Sequence, residues 1–270
     1  MNEEIALSYV KKRKRRKRAA IISGISSLGI TVFLIIAFCL IYVDRFTITT
    51  SSSELSLTID ENHETMTTQL VAPPLLKATD TQYTDIPTDI DDGLGSKNHN
   101  DGKVAYFAYS FQLYATCEAP SLNYGLTMML QRKSNDLEQA IKILIIRNGV
   151  KTIYAKSYSE KQAENRNDPT VGTDQLPYLG QDVHEGDTKN IYSGERIPGQ
   201  APEKIDSTVP FEDNPKHIIY KLYSIVSGEY DKYTIVIWID GWESDNSMKS
   251  GEFQAELKFS AESYNNQGEN

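Results

Sequence analysis

Two kinds of hydrophobic pattern divide this chain: one unbroken apolar run near the N-terminus and, beyond it, short segments in which apolar and polar residues alternate. Alternation sends successive side chains to opposite faces, so each such segment predicts a half-buried β-strand. The first spans residues 46–60, where Leu55, Leu57 and Ile59 alternate with Ser56, Thr58 and Asp60. Periodicity is lost over 61–103, which passes through Pro73-Pro74, Pro87 and Gly93, and this stretch reads as loop with one short strand. Residues 104–117 place Phe107, Tyr109, Phe111, Leu113, Ala115 and Cys117 on one face. Over 122–130 the even positions Leu122, Tyr124, Leu126, Met128 and Leu130 do the same, and the tight link at Pro120 predicts that the two strands pair antiparallel.

Ser134-Asn135-Asp136 can cap a helical turn over 137–140. Residues 141–147 and 150–156 then flank Asn148-Gly149, a hairpin signal because both central residues of the turn must accept positive φ. The polar stretch 157–216 is too long for an ordinary connection and reads as an inserted surface loop with local structure. Residues 217–226 fit a strand or a short helix. The run 233–240 is apolar on both faces, as a central strand is, and Phe253, Ala255, Leu257 and Phe259 alternate with polar neighbours. About eight strands with long loops predict an all-β fold, an antiparallel β-sandwich of jelly-roll-like form, with a closed barrel as the alternative.

The apolar run is of another kind. Residues 19–43 hold no charged side chain for 25 positions. As a helix they would reach roughly 37 Å, more than the hydrocarbon core of about 30 Å. Immediately before them stands Lys11-Lys12-Arg13-Lys14-Arg15-Arg16-Lys17-Arg18. Positive charge flanking a first span is retained in the cytoplasm, which predicts a basic cytoplasmic tail at 1–18, a transmembrane signal anchor at 19–43 and an extracytoplasmic domain at 44–270. A cleaved signal peptide is the competing reading, but the run exceeds the usual apolar core and Ile41-Tyr42-Val43-Asp44-Arg45 lacks small residues for a peptidase. A nuclear import signal would leave the apolar run unexplained.

Charge sharpens the partition. The first 18 residues carry eight basic and two acidic side chains, net +6, so the remainder carries −15 of the total −9. An acidic exported part repels nucleic acid and anionic lipid, which leaves the bilayer, met through residues 19–43, and a protein partner or self-assembly as expected contacts. Cys39 falls in the apolar run and Cys117 on a strand's apolar face, so no disulfide framework is expected and Cys117 reads as a buried thiol. No Asn-x-Ser/Thr acceptor follows the apolar run, in keeping with a bacterial envelope.

The segment Tyr233-Thr-Ile-Val-Ile-Trp238-Ile-Asp240-Gly241, followed by Gly251-Glu-Phe253-Gln-Ala-Glu-Leu257-Lys-Phe259, resembles exported bacterial β-sandwich proteins of the TasA and camelysin type. Leu137-Glu-Gln-Ala-Ile141-Lys-Ile143 is similar to the short helix that leads into a strand in such proteins, so the likeness covers residues 104–156 and 217–260. It implies a jelly-roll-like sandwich and a role in the envelope or extracellular matrix. The turn after Gly241 lacks the Cys often found there in the group, and no aromatic cleavage region follows the apolar run.

No catalytic constellation is legible. His63, His99, His184 and His217 are scattered without a His-Glu-x-x-His pair, and no nucleophile elbow, phosphate-cradling loop or dinucleotide fingerprint occurs, so neither a cofactor nor catalytic residues are expected. Asp89, Asp91 and Asp92 before Gly93 form part of a calcium-loop pattern, although the position for a bidentate Glu is unfilled. The turn with Asp240, Glu243 and Asp245 is a weaker candidate of the same kind. Trp242, beside that turn, reads as an exposed contact residue and Trp238 as core. The expectation is a non-enzymatic, membrane-anchored display protein, with a secreted camelysin-like metalloprotease or a released matrix fibre subunit as the alternative. A fibre subunit would donate a strand, and residues 46–60 are the segment to do so.

Overall fold

The computed structural model describes residues 45–74, 78–168, 179, 182–194, 200–244, 248 and 251–262. The basic tail and the expected anchor at 19–43 lie outside them; among the described residues no helix is long and apolar enough to cross a membrane. Residues 46 onward form one compact unit. Its strands are β1 (Phe46–Thr50), β2 (Leu55–Thr58), β3 (Gln69–Ala72), β4 (Asp80–Thr81), β5 (Gly95–Ser96), β6 (His99–Asn100), β7 (Ala105–Ala115) and β8 (Ser121–Lys133). There follow β9 (Ile141–Arg147), β10 (Val150–Ala155), β11 (Asn190–Ser193), β12 (Glu203–Ser207), β13 (Val209–Pro210), β14 (Ile219–Val226), β15 (Tyr230–Asp240) and β16 (Phe253–Ala261). Among the described residues one α-helix, α1 (Glu160–Asn167), accompanies them.

The fold is all-β, in mixed rather than purely antiparallel sheets. One sheet runs β14-β8-β16-β1-β3 and the other β13-β10-β9-β15-β7-β2, with β4 on β15 and β5 and β6 on β7. Among the described strands three pairings are parallel: β1 with β16, β10 with β13, and β15 with β4. The two sheets share one hydrophobic cluster that takes Ile48, Leu126, Leu257 and Phe259 from the first and Phe111, Leu113, Ile143 and Ile235 from the second. Aromatic contacts cross between the layers, with Phe46 5.0 Å from Phe107 and Phe259 5.2 Å from Tyr233, ring centre to ring centre. Two sheets burying their apolar faces against each other is the expected solution for alternating strands.

One expected pairing and one expected strand differ in this arrangement. β7 and β8 do not form a hairpin: β7 sits in one sheet and β8 in the other. Both apolar faces point into the same core, which the alternation could not distinguish from pairing edge to edge. The expected strand at 46–60 likewise divides into β1 and β2, in different sheets, with a turn over 51–54 between them. β1 is hydrogen-bonded to β16 on one edge and β3 on the other, and β2 is paired to β7, so the segment expected to be donated is already paired within its own chain.

Other expectations hold. Asn148 and Gly149 take φ of 49° and 79° and close the β9–β10 hairpin, with Val150 opposite Arg147. β15 lies between β9 and β7 and is buried on both faces: Tyr233 and Ile235 enter the inter-sheet core. Val236 and Trp238 join a second cluster on the sheet's other face with Leu144, Ile146, Ile86 and Ile191. That outer face is covered by chain from the two long loops, and on it the polar site is built.

Candidate functional site

β9 and β15 are antiparallel neighbours with Lys142 opposite Trp238 and Ile141 opposite Ile239. Residues two apart share a face, so Lys142, Leu144 and Ile146 line up on the outer face beside Val236, Trp238 and Asp240. Lys142 and Asp240 are therefore diagonal neighbours at the end of the sheet. β15 then turns sharply: the N–H groups of Glu243 and Ser244 both donate to Asp240 O, at 2.9 and 3.0 Å, which swings Glu243 back over the same face. Asp240 Oδ1 accepts from the Trp242 N–H at 3.0 Å and fixes the carboxyl plane.

The remaining members come from the stretch expected to be a surface loop. Ser159 caps α1 in a capping box with Gln162, each side chain reaching the other's backbone N–H. The helix so started carries Arg166 inward. Lys189 enters just before β11, and Tyr158, Tyr192 and Trp242 wall the site in a third apolar cluster. Trp242, expected to be exposed, is 1% exposed. The turn beside Trp242 is roofed by the inserted segment.

Glu243 is the centre of the group. Its Oε2 lies 2.9 Å from Arg166 Nη2 and 3.5 Å from Lys189 Nζ, and its Oε1 lies 3.9 Å from Lys142 Nζ and accepts from Tyr158 OH at 3.4 Å. Arg166 Nη2 also donates to Trp242 O at 2.6 Å, and Lys189 Nζ to Gln139 O at 2.5 Å. Lys142 Nζ is 3.7 Å from Asp240 Oδ2 and makes no hydrogen bond to any described residue. Three cations thus face two carboxylates, with none of the five side chains more than 4% exposed. Burying charges is expensive, and only pairing and hydrogen bonds offset the cost.

The two acids respond oppositely to this environment. Burial pushes Asp240 up to about 6, with Lys142 pulling against it and Glu243 adding to it. Burial acts in the same direction on Glu243, but Arg166, Lys189 and Lys142 outweigh it and hold that carboxyl near 2. Lys189 is pushed down to about 7 by burial despite Glu243. Burial also acts to lower Arg166, and Glu243 overcomes it, so the guanidinium stays charged. One carboxyl raised toward neutrality beside one held well below its usual range is a pair of acids driven apart by environment alone.

A second buried polar group lies on the inter-sheet side. Asp231 accepts from Arg147 Nε and Nη2 at 3.0 and 2.8 Å and from Asn148 Nδ2 at 2.6 Å, and it is bonded by Tyr124 OH from the opposite sheet. Arg147 also stacks on Tyr223 with its guanidinium 4.3 Å from the ring centre. Every charge there is paired, so this group ties the hairpin end of one sheet to the other.

The residues singled out from sequence fall in separate places. Asp89, Asp91 and Asp92 stay in one turn-rich loop, where Lys97 Nζ donates to Ile90 O at 2.7 Å and feels all three carboxylates. Asp240 and Glu243 do come together, but around cations; Asp245 lies outside the described residues. Among the described residues no three His, Cys, Asp or Glu side chains are grouped to hold a metal ion. The histidines are engaged singly: His63 with Gln112, His99 with Asp101, His184 with Asp182 and Asp187, and His217 with Glu212. Cys117 is partly buried against the core, its thiol donating to Ala119 O at 3.2 Å.

Of the three cations Lys142 alone leaves a signal in the sequence, a single cation inside the apolar run Ile141-Lys-Ile-Leu-Ile-Ile146. Arg166 and Lys189, in polar surroundings, left no such trace. Scans of the sequence against protein-family models, curated proteins and solved structures return no match.

Proposed function

We propose that this chain is a single-pass, membrane-anchored envelope protein that displays a jelly-roll-like β-sandwich outside the cytoplasmic membrane for interaction or assembly at the cell surface. The observation that carries the reading is the succession of eight basic residues, a charge-free run of 25 and then, from Phe46, a folded all-β unit. Positive charge keeps the tail inside and the span delivers the acidic remainder outward. The resemblance to the TasA and camelysin type agrees with an exported sandwich.

Display is favoured over strand donation because β1 and β2 are already paired on their own chain. Among the described strands β14 is a sheet edge, and on it Leu222 and Val226 are exposed to a partner. The camelysin-like metalloprotease alternative needs histidines and acids converging in one cleft, and the four described histidines are each engaged apart from the others.

N-terminal mass analysis of the protein in membrane and medium fractions tests the reading. Membrane protein that keeps peptides from residues 1–43, together with protease access to the β unit on intact cells, is the expected result. A mature form that begins beyond residue 43 and is recovered from the medium would overturn it in favour of a released subunit.

A further inference from the structure

We propose that Lys142 and Asp240 condense into an intramolecular amide, with Glu243 carrying the proton, so that the mature protein holds a covalent bond between β9 and β15. The starting point is an unsatisfied cation. An ammonium has three donors, and Lys142 Nζ, at 0% side-chain exposure, satisfies none of them among the described residues. Its two acidic neighbours stand at 3.7 and 3.9 Å, beyond hydrogen-bond reach. As an ion pair this is poor geometry in a place where ion pairs need good geometry. As a pair of reactants it is well arranged.

The carboxyl is held by one oxygen and presented by the other. Asp240 Oδ1 accepts from the Trp242 N–H at 3.0 Å, so a donor already stands where negative charge develops when an amine adds to the carboxyl carbon. Oδ2 is the oxygen that faces Lys142. The strand pairing of β9 with β15 fixes both side chains on one face, so the approach is intramolecular and its orientation is set by folding. Neighbouring Lys189 is not the nucleophile, because its Nζ is committed to Gln139 O at 2.5 Å and sits against Glu243 rather than Asp240.

The carboxyl that loses water must carry a proton, and burial favours this at Asp240. Asp240, pushed up to about 6 by burial, is the more readily protonated of the two acids beside Lys142. Glu243 is the carboxylate placed to carry the proton, with Oε1 3.9 Å from Lys142 Nζ.

Lys142 Nζ attacks Asp240 Cγ and a C–N bond forms. Glu243 takes a proton from the nitrogen and returns it to Oδ2, the Cγ–Oδ2 bond breaks, and water leaves. The balance is one amine and one carboxylic acid to one amide and one water, with no oxidant, reductant or external group. What remains is a neutral amide with a single N–H, beside the Arg166–Glu243 pair and Lys189. Neither step depends on where the chain is located, so the proposal stands apart from the membrane reading.

The test is the mass of the purified full-length chain, extracted in detergent and denatured, followed by tryptic mapping. The expected result is a chain one water lighter than its sequence, in which peptide 134–147, uncut at Lys142, is joined to peptide 233–249. Unlinked peptides of full mass would overturn the proposal, and so would a water loss mapped to any other residue, such as Asp92-Gly93. These readouts on the unmodified chain do not depend on whether a variant folds. In Lys142→Arg the linked peptide is lost. In Glu243→Gln the linked fraction falls by at least tenfold, and an undiminished fraction would overturn the part given to Glu243.

Discussion

Replacing Glu243 by Gln is the most direct probe of the buried charge group. The change keeps shape and removes one negative charge from a site where Arg166, Lys189 and Lys142 lie 2.9, 3.5 and 3.9 Å away. Two routes give its size. Removing one partner of a buried pair costs about 3–5 kcal/mol. Lowering a carboxyl from 4.5 to about 2 in the folded state corresponds to about 3 kcal/mol at neutral pH.

For a unit of this length each kcal/mol moves the melting temperature by about 2–4 °C, so Glu243→Gln is expected to melt at least about 6 °C lower at pH 7. The sign of the pH dependence follows from the same shift. The folded value is depressed, so the contribution is present above about 4.5 and is lost as pH falls toward about 2; the variant lacks that loss. The chain's two tryptophans, Trp238 and Trp242, are both buried beside this group, so intrinsic fluorescence on heating reports its unfolding. Intact mass taken alongside separates ion-pair loss from any change in covalent state. A melting temperature within about 2 °C of the parent, with an unchanged acid limb, would refute the assignment of Glu243 as the group's centre.

Lys189→Met tests the opposite limb. Because the folded value of Lys189 is depressed to about 7 from 10.5, its contribution is present above 10.5 and is lost as pH falls to about 7; stability of the parent therefore rises with pH across this window and that of the variant does so less. Urea midpoints at pH 7 and pH 10 measure the difference. Gly251→Ala tests the close approach beneath the turn before β16, where an added Cβ would stand 2.9 Å from Leu137 Cβ and 3.0 Å from the Met248 and Ser134 carbonyl oxygens. Two of these three are backbone atoms that cannot swing aside, so a loss of about 1–3 kcal/mol is expected in the urea midpoint.

Much of the β framework is written in the order of residues. Alternation marks β7, β8 and β16, the doubly apolar run marks β15 as central, and Asn148-Gly149 marks the β9–β10 turn, because each rests on a local rule that a few neighbouring residues satisfy. Which sheet a strand joins is not local. The apolar faces of β7 and β8 meet across the core from opposite sheets, and the same alternation would have served a hairpin.

The polar site shows the division most clearly. Lys142, Asp240 and Glu243 sit on or beside strands that could be read, yet their meaning depends on Arg166 and Lys189, which belong to a segment that reads as a solvated loop. A charge in sequence carries no sign of its burial. The sequence alone determined the strands, their faces and the charge asymmetry about residues 19–43. Tertiary structure decided the partners, because burial is set by what distant segments cover, and covering the end of β15 turned two ordinary acids into a buried pair driven apart by environment, beside an unsatisfied amine.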